Sequence, residues 1–172
     1  MKEPHFVGSC GISCGLCPRF HSKAKSRCLG CGPDAHCAYC AIFRCCVTKR
    51  GQQTCADCIG FPCEKFSKWF DADSFVTHQK CHENILKIKK VGMNLFLGEH
   101  AERKEILEIM LERYNPGQCV SLYCLASALM SPESLKKALK QVEQVGANKP
   151  AAFKKMIQEL AGTEKVSLKL RK

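Results

Sequence analysis

In the second half of the chain, apolar residues recur with the period of a helix. Ile106, Leu107, Met110, Leu111 and Tyr114 fall at i, i+1, i+4, i+5 and i+8, the stripe of a helix lying on a core. Ile85, Leu86, Ile88 and Val91 predict an earlier helix that stops at Gly92. Val120 to Met130 is apolar nearly all round, which predicts a short helix buried at the centre of a lobe. Ser131 reads as an N-cap with Pro132 at the first helical position; Leu135, Ala138, Leu139 and Val142 face inward, and Gly146 stops that helix. Asn148-Lys149-Pro150 opens a last helix with Phe153, Met156, Ile157 and Leu160 inside and Gly162 at its end. Phe66, Trp69 and Phe70 make one amphipathic turn after Pro62. Val166, Leu168 and Leu170 alternate with Ser167, Lys169 and Arg171, predicting a short C-terminal edge strand or extended tail.

Upstream of Glu64 no helical period is sustained, and cysteine replaces the apolar stripe. Of 15 cysteines in 172 residues, twelve lie between Cys10 and Cys63, and only Cys81, Cys119 and Cys124 follow. That is about nine per cent cysteine, near the level of a disulfide or metal scaffold. The stretch Met1 to Gly8 holds no apolar run of secretory-leader length, and no apolar run reaches the roughly 18–20 residues that span a bilayer. A reducing, cytoplasmic setting away from membranes is therefore expected, where paired thiols point to metal rather than to disulfides. Residues 1–63 read as a cysteine-rich metal-binding module and residues 64–172 as an all-α lobe of about five helices packed against it.

The spacing gives the thiols their chemistry. Cys14/Cys17, Cys28/Cys31, Cys37/Cys40 and Cys55/Cys58 each enclose two residues, so one tight turn can aim two sulfurs at one ion about 2.3 Å away. Four such pairs supply about two tetrahedral sites, and Cys10, Cys45, Cys46 and Cys63 supply donors for a third. Cys45 and Cys46 are adjacent, so their side chains are expected to diverge and only one to join a given ion. The ligand set expected is Cys10, Cys14, Cys17, Cys28, Cys31, Cys37, Cys40, Cys45, Cys55, Cys58 and Cys63. Cys81, Cys119 and Cys124 read as small buried apolar residues. His21, His36 and His82 are weaker candidates, since a lone histidine on a basic surface is more often solvated.

Charge changes the picture only slightly. The formal charge is +11, but a zinc on four thiolates carries −2, so two such sites bring it to about +7. Lys23, Lys25 and Arg27 before Cys28, and Lys49 and Arg50 after Cys46, offer basic flanks of the kind zinc knuckles use on single strands. Without a clustered stripe, only weak, non-specific nucleic-acid binding is expected.

The order of the cysteines carries a resemblance. Cys10-Gly11-Ile12-Ser13-Cys14-Gly15-Leu16-Cys17-Pro18 is followed by Cys28-Leu29-Gly30-Cys31, Cys40 with Cys45, and Cys55-Ala56-Asp57-Cys58-Ile59-Gly60-Phe61-Pro62-Cys63-Glu64. This resembles the bacterial and archaeal family known as domain of unknown function 3795. Asn84 to Gly92, Ser121 to Ala126 and Leu168 to Lys172 also read like its members, so the likeness runs over nearly the whole chain. The resemblance implies zinc binding and no established reaction. Cys37, Cys46 and Cys119 depart from the family's pattern.

Three functions follow as expectations. The first is a zinc protein with two or three structural thiolate sites that binds an unknown protein partner. The second is a redox protein carrying a [4Fe–4S] cluster on Cys10, Cys14 and Cys17, whose spacing matches that of radical S-adenosylmethionine enzymes, although the chain downstream lacks the strands of their barrel. The third is a zinc-dependent nucleic-acid-binding protein. No phosphate loop, paired carboxylates or Ser/His/Asp set is recognisable, so a non-enzymatic role is expected.

Overall fold

The structure is a computed structural model that describes residues 5–32, 39–67 and 69–172. Among the described residues it is helical, with no strand. A short helix α1 (Ala41–Phe43) runs on into a π-helical turn, Arg44–Lys49. Single 3₁₀ turns stand at Cys14–Leu16, Cys55–Asp57 and Glu64–Phe66. Five longer helices follow: α2 (Cys81–Val91), α3 (Met93–Arg113), α4 (Val120–Leu129), α5 (Pro132–Glu143) and α6 (Lys149–Thr163).

Local chemistry accounts for most of the boundaries. Gly92 ends α2 at φ 85°, a backbone that suits glycine, and α3 starts at the next residue. Ser131 Oγ accepts from Ser134 N at 3.2 Å and caps α5, with Pro132 at the first position. Arg103 Nη1 donates to the carbonyls of Ser127 (2.8 Å) and Met130 (2.7 Å), satisfying groups that α4 leaves open at its C-terminus. Two glycines act less sharply than expected: α5 ends at Glu143, short of Gly146, and Gly162 lies within the last turn of α6.

The larger core joins the second half of α3 to α4, α5 and α6, with Leu107, Met110, Tyr123, Leu135, Phe153 and Ile157 at its centre. Val120–Leu129 is its middle element, as its all-round apolar sequence predicts. Leu16, 1% exposed, reaches this core from the Cys14–Leu16 turn. A second core mixes thiols with helix side chains: Cys10, Ile42, Cys46, Cys55 and Phe66 pack with Ile85 and Ile88 of α2 and Phe96 of α3. Leu86, counted in the α2 stripe, faces solvent instead.

The predicted C-terminal edge strand does not form. Residues 166–172 run without regular structure, since the described fold offers no strand edge to extend. Val166 and Leu168 pack on the larger core. Arg171 is held by Asp73: its backbone N donates to Asp73 Oδ2 at 2.8 Å, its Nη2 to Asp73 Oδ1 at 3.0 Å, and its carbonyl accepts from Asp73 N at 3.1 Å.

Candidate metal centre

The two best-defined cysteine turns share one geometry. In the first, Cys17 N donates to Cys14 O at 3.1 Å; in the second, Cys58 N donates to Cys55 O at 3.2 Å. Each closes a 3₁₀ turn that sets two sulfurs on one short arc, as the two-residue spacing requires. The second turn is further locked: Thr54 Oγ1 accepts from Ala56 N at 3.2 Å, while Thr54 N donates to Asp57 Oδ2 at 3.4 Å. Cys55 N donates to Ser9 O at 2.9 Å, which ties this turn to the N-terminal loop.

Around the second turn five thiols meet. Cys45, Cys46, Cys55, Cys58 and Cys63 line one cavity of about 80 Å³. Cys45 and Cys46 come from the π-helical turn, and both reach the cavity, where divergence was expected of adjacent residues. Cys46 and Cys55 hydrogen-bond through their thiols; the bond pulls the Cys46 pKa down and, with burial, pushes that of Cys55 far up. Arg50 Nη1 lies 3.5 Å from Cys58 Sγ, placing a permanent cation against the sulfurs. Gly51, at φ 63°, turns the chain back so that Gln52 N donates to Cys46 O at 3.0 Å and Gln52 Nε2 to Asp57 O at 3.0 Å.

The first turn faces other partners. Cys14 packs with Cys31 and Phe43, with Cys40 partly buried against them. Cys17 packs with Phe20 and Val76, its pKa raised by burial, and Cys28 is the thiol whose charge reaches it. The first pair and the Cys28/Cys31 pair therefore meet at Cys14 and Cys31. Cys10 lies in the second core, so Cys10, Cys14 and Cys17 fall to three different apolar groupings. Cys37 and His36 lie outside the described residues.

The donor set suits zinc chemically: soft thiolates in paired turns, with a cation nearby to offset excess negative charge. Among the described residues, as their side chains stand, no three His, Cys, Asp or Glu groups converge closely enough to hold one ion. The sulfurs that line the five-thiol cavity are thus not drawn together into the coordination shell of one ion. The histidines are engaged elsewhere. His21 Nε2 lies 2.8 Å from Gly15 O, and His82 stacks on Phe61 with ring centroids 5.5 Å apart.

Two further buried groups stand beside these turns. Cys81, read from the sequence as a small apolar residue, hydrogen-bonds Cys10. Its position was legible in one respect, since Cys81, Ile85 and Ile88 lie on one buried face of α2. His100 is buried on α3, its pKa lowered by burial to about 4, and it lines a cavity of about 270 Å³ beside Gly15 and Leu16. Adjoining the five-thiol cavity is a wider one of about 440 Å³ whose charged lining is entirely basic: Arg44, Lys49, Arg50 and Lys65.

No helix among the described residues is long and apolar enough to cross a membrane. Compared with known proteins, the chain matches no family model, no curated protein and no solved structure.

Proposed function

We propose that this protein holds two or three zinc ions on cysteine thiolates and uses them to shape a surface for a protein partner, without catalysing a reaction of its own. One observation carries the reading: five cysteines from three separate segments line a single small cavity. Free thiols acting as apolar filler give no reason for that convergence, or for an arginine set against one of them. Thiolate-only zinc sites are closed and structural, which is why no reaction is assigned. The likeness to domain of unknown function 3795 points the same way and names no substrate.

Elemental analysis of protein purified without oxygen tests the proposal, with two or three zinc per chain expected. Iron with acid-labile sulfide, and a brown protein, would instead favour the iron–sulfur reading on Cys10, Cys14 and Cys17.

A second reading, zinc-dependent binding of nucleic acid, is favoured by the basic cavity formed by Arg44, Lys49, Arg50 and Lys65. The four cations border thiolates that absorb part of their charge, so the expected affinity is weak and non-selective. Fluorescence polarisation at physiological salt checks this. Sub-micromolar binding with a preference for one sequence or structure would reverse the order of the two readings.

A further inference from the structure

The cavity of about 270 Å³ beside α3 is lined by no cysteine, and its size is near the lower end of the range for small-molecule clefts. Leu97, Ala101, Lys104 and Glu105, at i, i+4, i+7 and i+8, lie on one face of α3 and form its helical wall. From Leu97 to Glu105 that wall is about 12 Å long. Phe6 and the Cys14–Leu16 turn form the other wall, through Gly15 and Leu16. The backbone holds it in place: Gly15 N donates to Phe6 O at 2.8 Å. The fit between the two is close, since a Cβ on Gly15 would stand 3.2 Å from Phe6 Cδ1.

Packing alone does not account for the polar groups of this cavity. His100 stands midway along the helical wall and is 8% exposed, tilted against the Phe96 ring with centroids 5.1 Å apart. Its Nε2 is buried without a hydrogen-bond partner among the described residues. A leucine there would carry no such desolvation cost, so the imidazole calls for a cause other than filling space. With its pKa at about 4, His100 is uncharged at neutral pH and offers one N–H donor and one acceptor without adding charge. Charge is confined to one end of the wall. Lys104 Nζ lies 5.6 Å from the Phe6 ring centre and 2.6 Å from Glu108 Oε1, which fixes the ammonium there while leaving donors over. The next residue, Glu105, is exposed beside it. A simple anion at this end would meet Glu105 and a simple cation Lys104, whereas a molecule carrying both charges finds a partner for each. We propose that this cavity binds a free α-amino acid with an apolar side chain, its carboxylate on Lys104, its ammonium on Glu105, and its side chain along Phe6, Leu16 and Leu97 with His100 beside it. The inference goes beyond the thiolate-metal reading and does not depend on it.

The test titrates full-length ¹⁵N-labelled protein, kept under reducing conditions, with L-phenylalanine and with L-leucine, and follows the amide resonances. Saturable shifts are expected at Gly15, Leu97, His100 and Ala101, with a dissociation constant of about a millimolar or tighter for at least one of the two. Phenylpropionate and phenylethylamine keep the ring of phenylalanine and each lose one of its charges, so each should bind at least about tenfold more weakly than phenylalanine. Leu97→Trp, at a half-buried position of the wall, should abolish the shifts, while Leu86→Trp, on the exposed side of α2, should leave them unchanged. The titrations of the unmutated protein decide the matter even if Leu97→Trp fails to fold. Equal binding of either analogue would overturn the amino-acid assignment. No saturable shift from either amino acid, or shifts confined to other parts of the chain, would overturn the site itself.

Discussion

Removing metal with a chelator under reducing conditions is expected to unfold residues 10–63 together with α2, while α4, α5 and α6 stay helical. Ordering a residue costs about 1–2 kcal/mol, and the cysteine-rich segment has little apolar surface to offset it beyond Leu16, Phe20, Ile42 and Phe43. A structural zinc returns on the order of 10 kcal/mol, so under the proposed function the ions carry most of this segment's stability. Helix α2 should follow because Ile85 and Ile88 are buried against Cys10, Cys46 and Cys55 rather than against the larger core. The larger core has its own support in Tyr123, Leu135 and Phe153, all fully buried. Hydrogen exchange on the chelated protein checks the division: lost protection over 10–63 and 81–91, retained protection over 120–163. Cys58→Ser should act as partial chelation, and Cys119→Ser should barely register. Melting of the whole chain in one step would instead mean that Leu16, seated in the larger core, couples the two too tightly to separate.

Replacing Asp73 with Ala is expected to release the C-terminal tail and cost about 3 kcal/mol. The Asp73 side chain is wholly buried and accepts from His78 N at 2.8 Å and from the backbone and guanidinium of Arg171. Breaking a buried pair costs about 3–5 kcal/mol, and the lower end applies because Arg171 remains 35% exposed. The same carboxylate makes a pH prediction. Burial pushes its pKa up, but the Arg171 and backbone hydrogen bonds outweigh burial and hold it at about 2, against an ordinary 3.8. A depressed acid stabilises the fold above its unfolded pKa, so the contribution is whole above about pH 4 and is lost as pH falls towards 2. It amounts to roughly 2 kcal/mol. Denaturant midpoints of the wild type and Asp73→Ala should therefore converge between pH 4 and 2; a constant gap would show that the ion pair is not the source.

The comparison of sequence and structure divides along interaction range. Helices α4, α5 and α6 were legible because each rests on local terms: an all-round apolar run, the Ser131-Pro132 cap, and the Phe153 to Leu160 stripe. The first half of α3 was not read, since only Phe96 and His100 are buried over its first three turns and no stripe forms. The tail misled for the opposite reason. Its alternation is that of a strand, but pairing needs an edge, and the described fold presents none.

What the chain determined by itself was the tight turn at Cys14/Cys17 and at Cys55/Cys58, a matter of a few dihedrals, and the helical character of α4, α5 and α6. Which thiols come together was a tertiary outcome. Cys14 packs against Cys31, the π-helical turn delivers both Cys45 and Cys46 to one cavity, and α2 sets its first turn at Cys81 against Gly11, next to Cys10. Spacing constrains sulfurs on the same turn, whereas sulfurs on different turns meet only where the docking of α2 and the seating of Leu16 place them, and those contacts span far more chain than any local pattern can encode.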